Sequence, residues 1–311
     1  MSVVCMGEML IDFVATTSGV SVGSAEGFIK AAGGAPANVA VAVARLGYHA
    51  SFIGQVGDDP FGHFLADTLR QEGVKLDGLH FSPQARTALA FVSLGEDGER
   101  SFSFYRHPSA DMLLTPEQVA PEHITPYRIF HFGSISMISE PSRSATYKAL
   151  EIAVKAGLLV SYDPNLRLPL WDSAEQAREQ ILEGLSYADL VKMSEEELDF
   201  LSGGDVNALW RDTLNYIVVT HGEKGATLHT RTLSHFVPSF SVQAVDTTGA
   251  GDAFVAGLLT GILAHHDYPD RIKEILRFAN AVGAMTTTQK GAIPALPTQA
   301  QAQAFLATQE E

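Results

Sequence analysis

Cysteine occurs once in the 311 residues, at Cys5, so no internal disulfide can form and a zinc site built on thiolates is excluded. Cys5 lies in the apolar run Val3-Val4-Cys5-Met6, which marks it as core packing rather than a reactive thiol. Positive charge is scarce as well. The chain has 21 Lys and Arg against 36 Asp and Glu, a net charge of −15. That balance repels nucleic acid and anionic membrane surfaces and leaves small molecules as the expected partners. No apolar run approaches the roughly 18 residues needed to cross a bilayer, and the N-terminus lacks the basic segment and apolar stretch of a secretion signal. A reducing cytoplasm is the expected compartment. Two nucleotide-binding signatures are also missing. There is no Gly-x-x-x-x-Gly-Lys-Ser/Thr loop, and after residues 3–7 the chain reads Glu-Met-Leu-Ile-Asp rather than the Gly-rich turn of a dinucleotide-dependent oxidoreductase.

What is present is an α/β rhythm. Hydrophobic residues make up 46% of the chain, enough for one large α/β domain with a small appendage. Continuous apolar runs at 3–7, 50–56, 129–132, 158–162, 190–193 and 216–220 have the character of strands covered on both faces. Helical patterns at 37–46, 60–72, 142–156, 173–185 and 195–201 separate them, and residues 299–309 form a terminal helix. The alternation predicts a doubly wound, mostly parallel sheet flanked by helices. Residues 12–30 and 87–107 break the rhythm. In the second stretch, residues 88–94 lead through Asp97-Gly98 into residues 101–105, a hairpin signature that is either an edge decoration or a lid.

The sharpest local signal is Val245-Asp246-Thr247-Thr248-Gly249-Ala250-Gly251-Asp252-Ala253-Phe254, which runs into a helical pattern over 255–263. Small residues at a helix start let backbone N–H groups approach an anion, and the helix end adds roughly half a positive charge. Asp252 in that first turn is either a carboxylate stabilised by the helix end or, beside a phosphate cradle, a base accepting the proton of an attacking hydroxyl. A second signal is Gly33-Gly34-Ala35-Pro36-Ala37-Asn38, where paired glycines admit close ligand approach and Asn38 offers a donor and acceptors. Asp12 follows the first strand, at the sheet edge where open α/β folds bind ligands, and its carboxylate could grip vicinal hydroxyls. His131, within an apolar run, fits a satisfied core residue.

Together these segments resemble the ribokinase-like (PfkB) carbohydrate kinases. Residues 33–62 match that family's N-terminal signature and residues 246–254 its C-terminal one, in the right order. Arg86-Thr87-Ala88-Leu89-Ala90-Phe91-Val92, Pro108-Ser109-Ala110-Asp111-Met112-Leu113-Leu114, the stretch 163–171 and the stretch 290–297 look like the fructokinases within it. The resemblance implies a single ribokinase-like domain over residues 1–311, with a small β-sheet lid formed by about 12–30 and 87–107. It implies ATP-dependent phosphorylation of D-fructose to fructose 6-phosphate, with Asp252 as the base and Gly249, Ala250 and Gly251 as the anion hole. The sugar would meet Asp12, Gly33, Gly34 and Asn38, with Phe102, Tyr105 and Arg106 closing over it and Arg167 near the transferred phosphate. ATP would meet Lys192, Ser194, Glu197, Thr220, Gly222, Gly225 and Asn280. Ser194 stands where the family usually has asparagine in an Asn-x-x-Glu motif tied to Mg²⁺. A K⁺ ion would sit near Asp246 and Thr248, with Thr286, Gln289, Gly291 and Ala295 completing an oxygen shell. Lid sheets packed on one another would join a homodimer. The alternatives are a kinase for another furanose or nucleoside, such as ribose, adenosine or an aminoimidazole riboside, and a non-catalytic sugar-binding protein on the same fold.

Overall fold

A computed structural model of the chain describes residues 2–94, 100–265 and 267–309. Its large sheet is built on the apolar runs. Strands β1 (Ser2–Met6), β4 (His49–Gly57), β5 (Lys75–Ser82), β8 (Ile129–Gly133), β9 (Leu159–Asp163), β10 (Leu190–Ser194) and β11 (Tyr216–Thr220) pair in parallel. The hairpin strands β12 (Gly225–His229) and β13 (Ser234–Pro238) continue it antiparallel, giving the order β13-β12-β11-β10-β9-β8-β1-β4-β5.

Central strands are mostly apolar on both faces because both faces are covered. In β1, Val3 and Cys5 join the core beneath helices α1 (Ala35–Arg45), α2 (Pro60–Gln71), α6 (Ala250–Ala264) and α7 (Ile272–Thr286). Val4 and Met6 point the other way, into the core beneath α3 (Ser142–Lys155), α4 (Ala174–Gly184) and α5 (Glu195–Ser202). Cys5 is wholly buried, and His131 is buried with its ring bonded to the Ser161 hydroxyl. The last helix, α8 (Gln299–Ala307), adds buried Ala302 to the first core.

The two stretches that interrupt the α/β rhythm supply a second sheet. It has four strands in the order β3-β2-β6-β7: β2 (Leu10–Ala15), β3 (Phe28–Gly33), β6 (Ala88–Leu94) and β7 (Arg100–Tyr105). The Asp97-Gly98 turn between β6 and β7 lies outside the described residues. Pairing of Asp12 with Ala90, and of Ala90 with Phe104, puts these three side chains on one face. Phe13, Phe91 and Tyr105 occupy the other face and pack as an aromatic cluster. Asp59 fastens this sheet to the large one. Its carboxylate caps α2 through the N–H groups of Phe61 and Gly62 and accepts from the Thr87 N–H and hydroxyl at the start of β6.

Candidate active site

The carboxyl ends of the parallel strands open into a cavity of about 830 Å³. Its far wall comes from the small sheet through Leu10, Asp12 and Phe104, so both sheets enclose it. A second cavity of about 800 Å³ adjoins it, walled by the β12–β13 side and by α6 and α7. The two share Thr220, Gly222, Glu223, Thr247 and Gly251. The start of α6 is therefore the junction between them.

Gly249 is the N-cap of α6 and holds φ 78°, a left-handed conformation in which a Cβ would fall 2.8 Å from that of Ala292. The turn directs the first N–H groups of the helix, which have no carbonyl one turn earlier, toward the cavities. Of the three residues expected to make an anion hole, Ala250 has its N–H turned back on the Thr247 carbonyl at 3.3 Å. Gly251 lies closest to positive charge, since a Cβ there would come within 3.2 Å of Lys192 Nζ.

Asp252 follows in the same turn, and Asn38 Nδ2 donates to its Oδ2 at 2.8 Å. Burial pushes the Asp252 carboxyl up to about 6; the Asn38 bond opposes that rise, Asp163 adds to it, and Lys192 and Arg167 oppose it. A carboxylate that ionises near 6 is charged at neutral pH and still a useful proton acceptor. Asn38 is placed by α1, whose N-cap Gly34 holds φ 113° where a Cβ would meet the Glu8 carbonyl at 2.5 Å, so the position requires glycine.

Lys192 Nζ is paired with Asp163 Oδ2 at 3.0 Å, both buried. Burial alone would lower the Lys192 pKa, but Asp163 and Glu197 outweigh it and hold the ammonium charged. Ser194 and Glu197 form the capping box of α5. Glu197 also accepts from the Leu166 N–H at 2.7 Å, so both its oxygens are engaged by backbone donors. Burial raises its pKa. Both residues line the first cavity, as do Arg167, Thr220 and Gly222.

At the other end of that cavity stand Asp12, Gly34, Asn38, Phe104 and Ile135. Gly33 is one step behind, and a Cβ on it would lie 2.1 Å from Asp12 Oδ2, so its bareness makes room for that carboxylate. Two expected wall residues are elsewhere. Tyr105 is 64% exposed and packs on Phe91, on the opposite face of the small sheet from Phe104. Arg106 is buried behind the wall, its guanidinium bound to Asp111 at 2.6 Å and to the Ile135 carbonyl at 3.4 Å. The side chain of Phe102 lies outside the described residues.

Gly225 and Asn280 line the second cavity. Asn280 Nδ2 donates to the carbonyls of Val237 and Pro238, which ties α7 to the end of β13. The segments expected to hold a monovalent cation also come together. Asp246 Oδ1 accepts from the N–H and hydroxyl of Thr248, and Oδ2 from the Gly291 N–H at 2.8 Å. Val245 and Asp246 N–H groups bond the Thr287 carbonyl. Thr286 turns its hydroxyl onto Val282, Gln289 is exposed, and Ala295 closes a turn on Ala292. An oxygen-rich junction of this kind suits a hard cation. Among the described residues there is no cluster of three or more His, Cys, Asp or Glu able to hold a metal.

Glu8, Leu10, Phe104 and Ile135 also line this end, and none was expected there from the sequence. Glu8 could have been, as a charged residue placed just after a parallel strand.

Residues 1–299 match the family model described as pfkB family carbohydrate kinase. The chain is 55% identical to probable fructokinase-4 of Arabidopsis thaliana, an alignment covering 98% of this chain and 96% of that protein. Among solved structures, the ATP-bound fructokinase of Xylella fastidiosa superimposes with a TM-score of 0.93 at 41% identity, covering 100% of this chain and 99% of that one. The fructokinase of Vibrio cholerae O395 gives 0.88 at 39% identity, with 98% of each chain covered. It was solved with fructose, ADP and calcium ion, and as a double mutant with fructose, ADP and potassium ion.

Proposed function

Because the chain belongs to the pfkB family of carbohydrate kinases, we propose that it transfers the γ-phosphate of ATP to D-fructose, giving fructose 6-phosphate and ADP. The observation that carries this reading is the junction of two cavities at Gly251, beside a buried carboxylate that ionises near 6. The cavity bounded by Asp12, Asn38 and Phe104 takes the sugar, and the one between the β12–β13 hairpin and α7 takes the adenosine. The triphosphate then crosses from Gly222 to the start of α6.

Asp252 accepts the proton of the 6-hydroxyl as that oxygen attacks the γ-phosphorus in line with the departing ADP oxygen. Asn38 fixes the orientation of the base. Gly251 N–H and Lys192 face the charge on the transferred group, and Arg167, at the solvent side, reaches it from the opposite wall. The small sheet acts as a lid, with Leu10 and Phe104 excluding water from the sugar. Mg²⁺ bound to the nucleotide would neutralise phosphate charge, with Glu196 and Glu197 the nearby carboxylates for its hydration shell. K⁺ would be held at the Asp246–Gly291 junction, where its role is to fix the loop that starts α6. Ile29, 64% exposed on the cavity-side face of the small sheet, supports a homodimer joined through the lids.

ADP release measured with fructose, glucose, mannose, ribose, adenosine and an aminoimidazole riboside tests the reading. Fructose is expected to be preferred, and Asp252→Asn to lower kcat by at least about 100-fold with ATP affinity nearly unchanged. Preference for ribose or a nucleoside would replace the sugar and keep the kinase. Turnover of none would favour a binding protein.

A further inference from the structure

Glu8 is the second residue beyond β1, after Gly7, and is only 2% exposed. Its Oε1 accepts from the Ala35 N–H, in the first turn of α1, at 3.1 Å. Its Oε2 is buried and has no hydrogen-bond partner among the described residues, although the side chain lines the sugar end of the cavity. The same is true of Asn38 Oδ1, whose amide nitrogen is taken by Asp252. Two buried acceptors without a partner among the described residues thus belong to residues that line the same cavity.

A purely structural Glu8 would use one oxygen to cap α1, a task that a short neutral side chain performs without burying a charge. The surroundings do not neutralise the second oxygen either. Burial pushes the Glu8 carboxyl up to about 7, well above its ordinary value. Its own backbone N–H draws it down most, then Arg106, but Arg106 is already paired with Asp111, which pushes the other way. No titratable side chain on β1 or α1 makes up the difference. What the pocket lacks is a hydrogen-bond donor, and a sugar hydroxyl is one.

We infer that Glu8 is a specificity-determining residue that accepts, through Oε2, a hydrogen bond from a hydroxyl of the sugar other than the one phosphorylated. This rests on the sugar-kinase reading above. Together with Asn38 and Asp12, which line the same cavity, Glu8 makes the sugar end a set of acceptors that favours a polyol over analogues lacking a hydroxyl. A site built to pair with a hydroxyl discriminates strongly against its absence, because the buried acceptor is then left without a partner.

Glu8→Gln keeps the shape and the oxygen that caps α1 while replacing the inferred acceptor with a donor. Steady-state constants for wild type and Glu8→Gln should be compared with fructose and with its 1-deoxy, 3-deoxy and 4-deoxy analogues, alongside the melting temperature. The expected result is a KM for fructose raised at least tenfold, with the KM for ATP within twofold. One deoxy analogue should be poor for wild type yet equally good for both enzymes, the mark of a contact already lost. An unchanged KM for fructose would overturn the inference, as would a rise by the same factor for fructose and every analogue. Wild-type activity separates the two claims. If wild type prefers another sugar, the comparison is run on that sugar's deoxy analogues; if it phosphorylates none, both readings fall.

Discussion

At the scale of the residue, the chemistry turns on how burial and hydrogen bonding divide the carboxylates. Asp252 is pushed up to about 6 mainly by desolvation, and the Asn38 amide is the largest influence holding it down. Its acid form cannot accept a proton, so kcat/KM for the sugar should fall on the acid side of pH 6. Asn38→Ala should move that limb to higher pH, measured as a pH–rate profile of both enzymes. Glu8 carries a stability consequence as well. Its folded pKa, about 7, lies above its unfolded value. The stability it contributes is thus complete below about pH 4.5 and lost as pH rises through 7. Glu8→Gln should therefore be more stable than wild type at pH 8, by on the order of 1–3 kcal/mol, and the advantage should vanish near pH 4.5. Denaturant melts at the two pH values check the sign. The segment around Asp252 was legible in the sequence because an acidic residue and a glycine-rich helix start share one peptide. Glu8 was not singled out, since its one cue, a charge just past a parallel strand, is weaker than a motif. Phe104 was passed over for Tyr105 because adjacent strand residues face opposite ways, and the alternation alone does not say which side holds the ligand.

The elements divide between those that announce themselves and those that do not. Every strand recognised from a continuous run is a parallel strand covered on both sides. β5, β12 and β13 were missed because they lie toward the edges, where one face is wet and polar residues such as Asp77, His80, Thr227 and His235 interrupt the apolar pattern. α1 and α6 do the positioning: their N-termini meet at the Asn38–Asp252 bond, so each fixes the other's working residue. Asp59 does comparable work for the small sheet. It accepts four hydrogen bonds, two from α2 and two from Thr87, and is pulled below the ordinary carboxylate range because these bonds outweigh its burial. Asp59→Ala removes a helix cap and strands the Thr87 donors. It should destabilise the protein by about 2 kcal/mol and raise the KM for the sugar more than that for ATP, measured by urea unfolding and steady-state kinetics.

Over the whole molecule, composition and rhythm disclosed a doubly wound sheet but not the order of its strands, which depends on where each helix crosses and leaves no local trace. The acidic balance of the chain carries into the site, where Lys192 and Arg167 are the basic side chains lining the first cavity among a majority of carboxylates. The partnership of residues 38 and 252 has a meaning for the living cell. α6 is buried from Ala253 to Ile262 and packs on α1 and α7, so during synthesis the face of α1 bearing Asn38 waits, uncovered, while roughly two hundred residues are still to be translated. The ribosome thus holds out a sticky, unfinished half-protein, and the base reaches its place only when the last quarter of the message has been read.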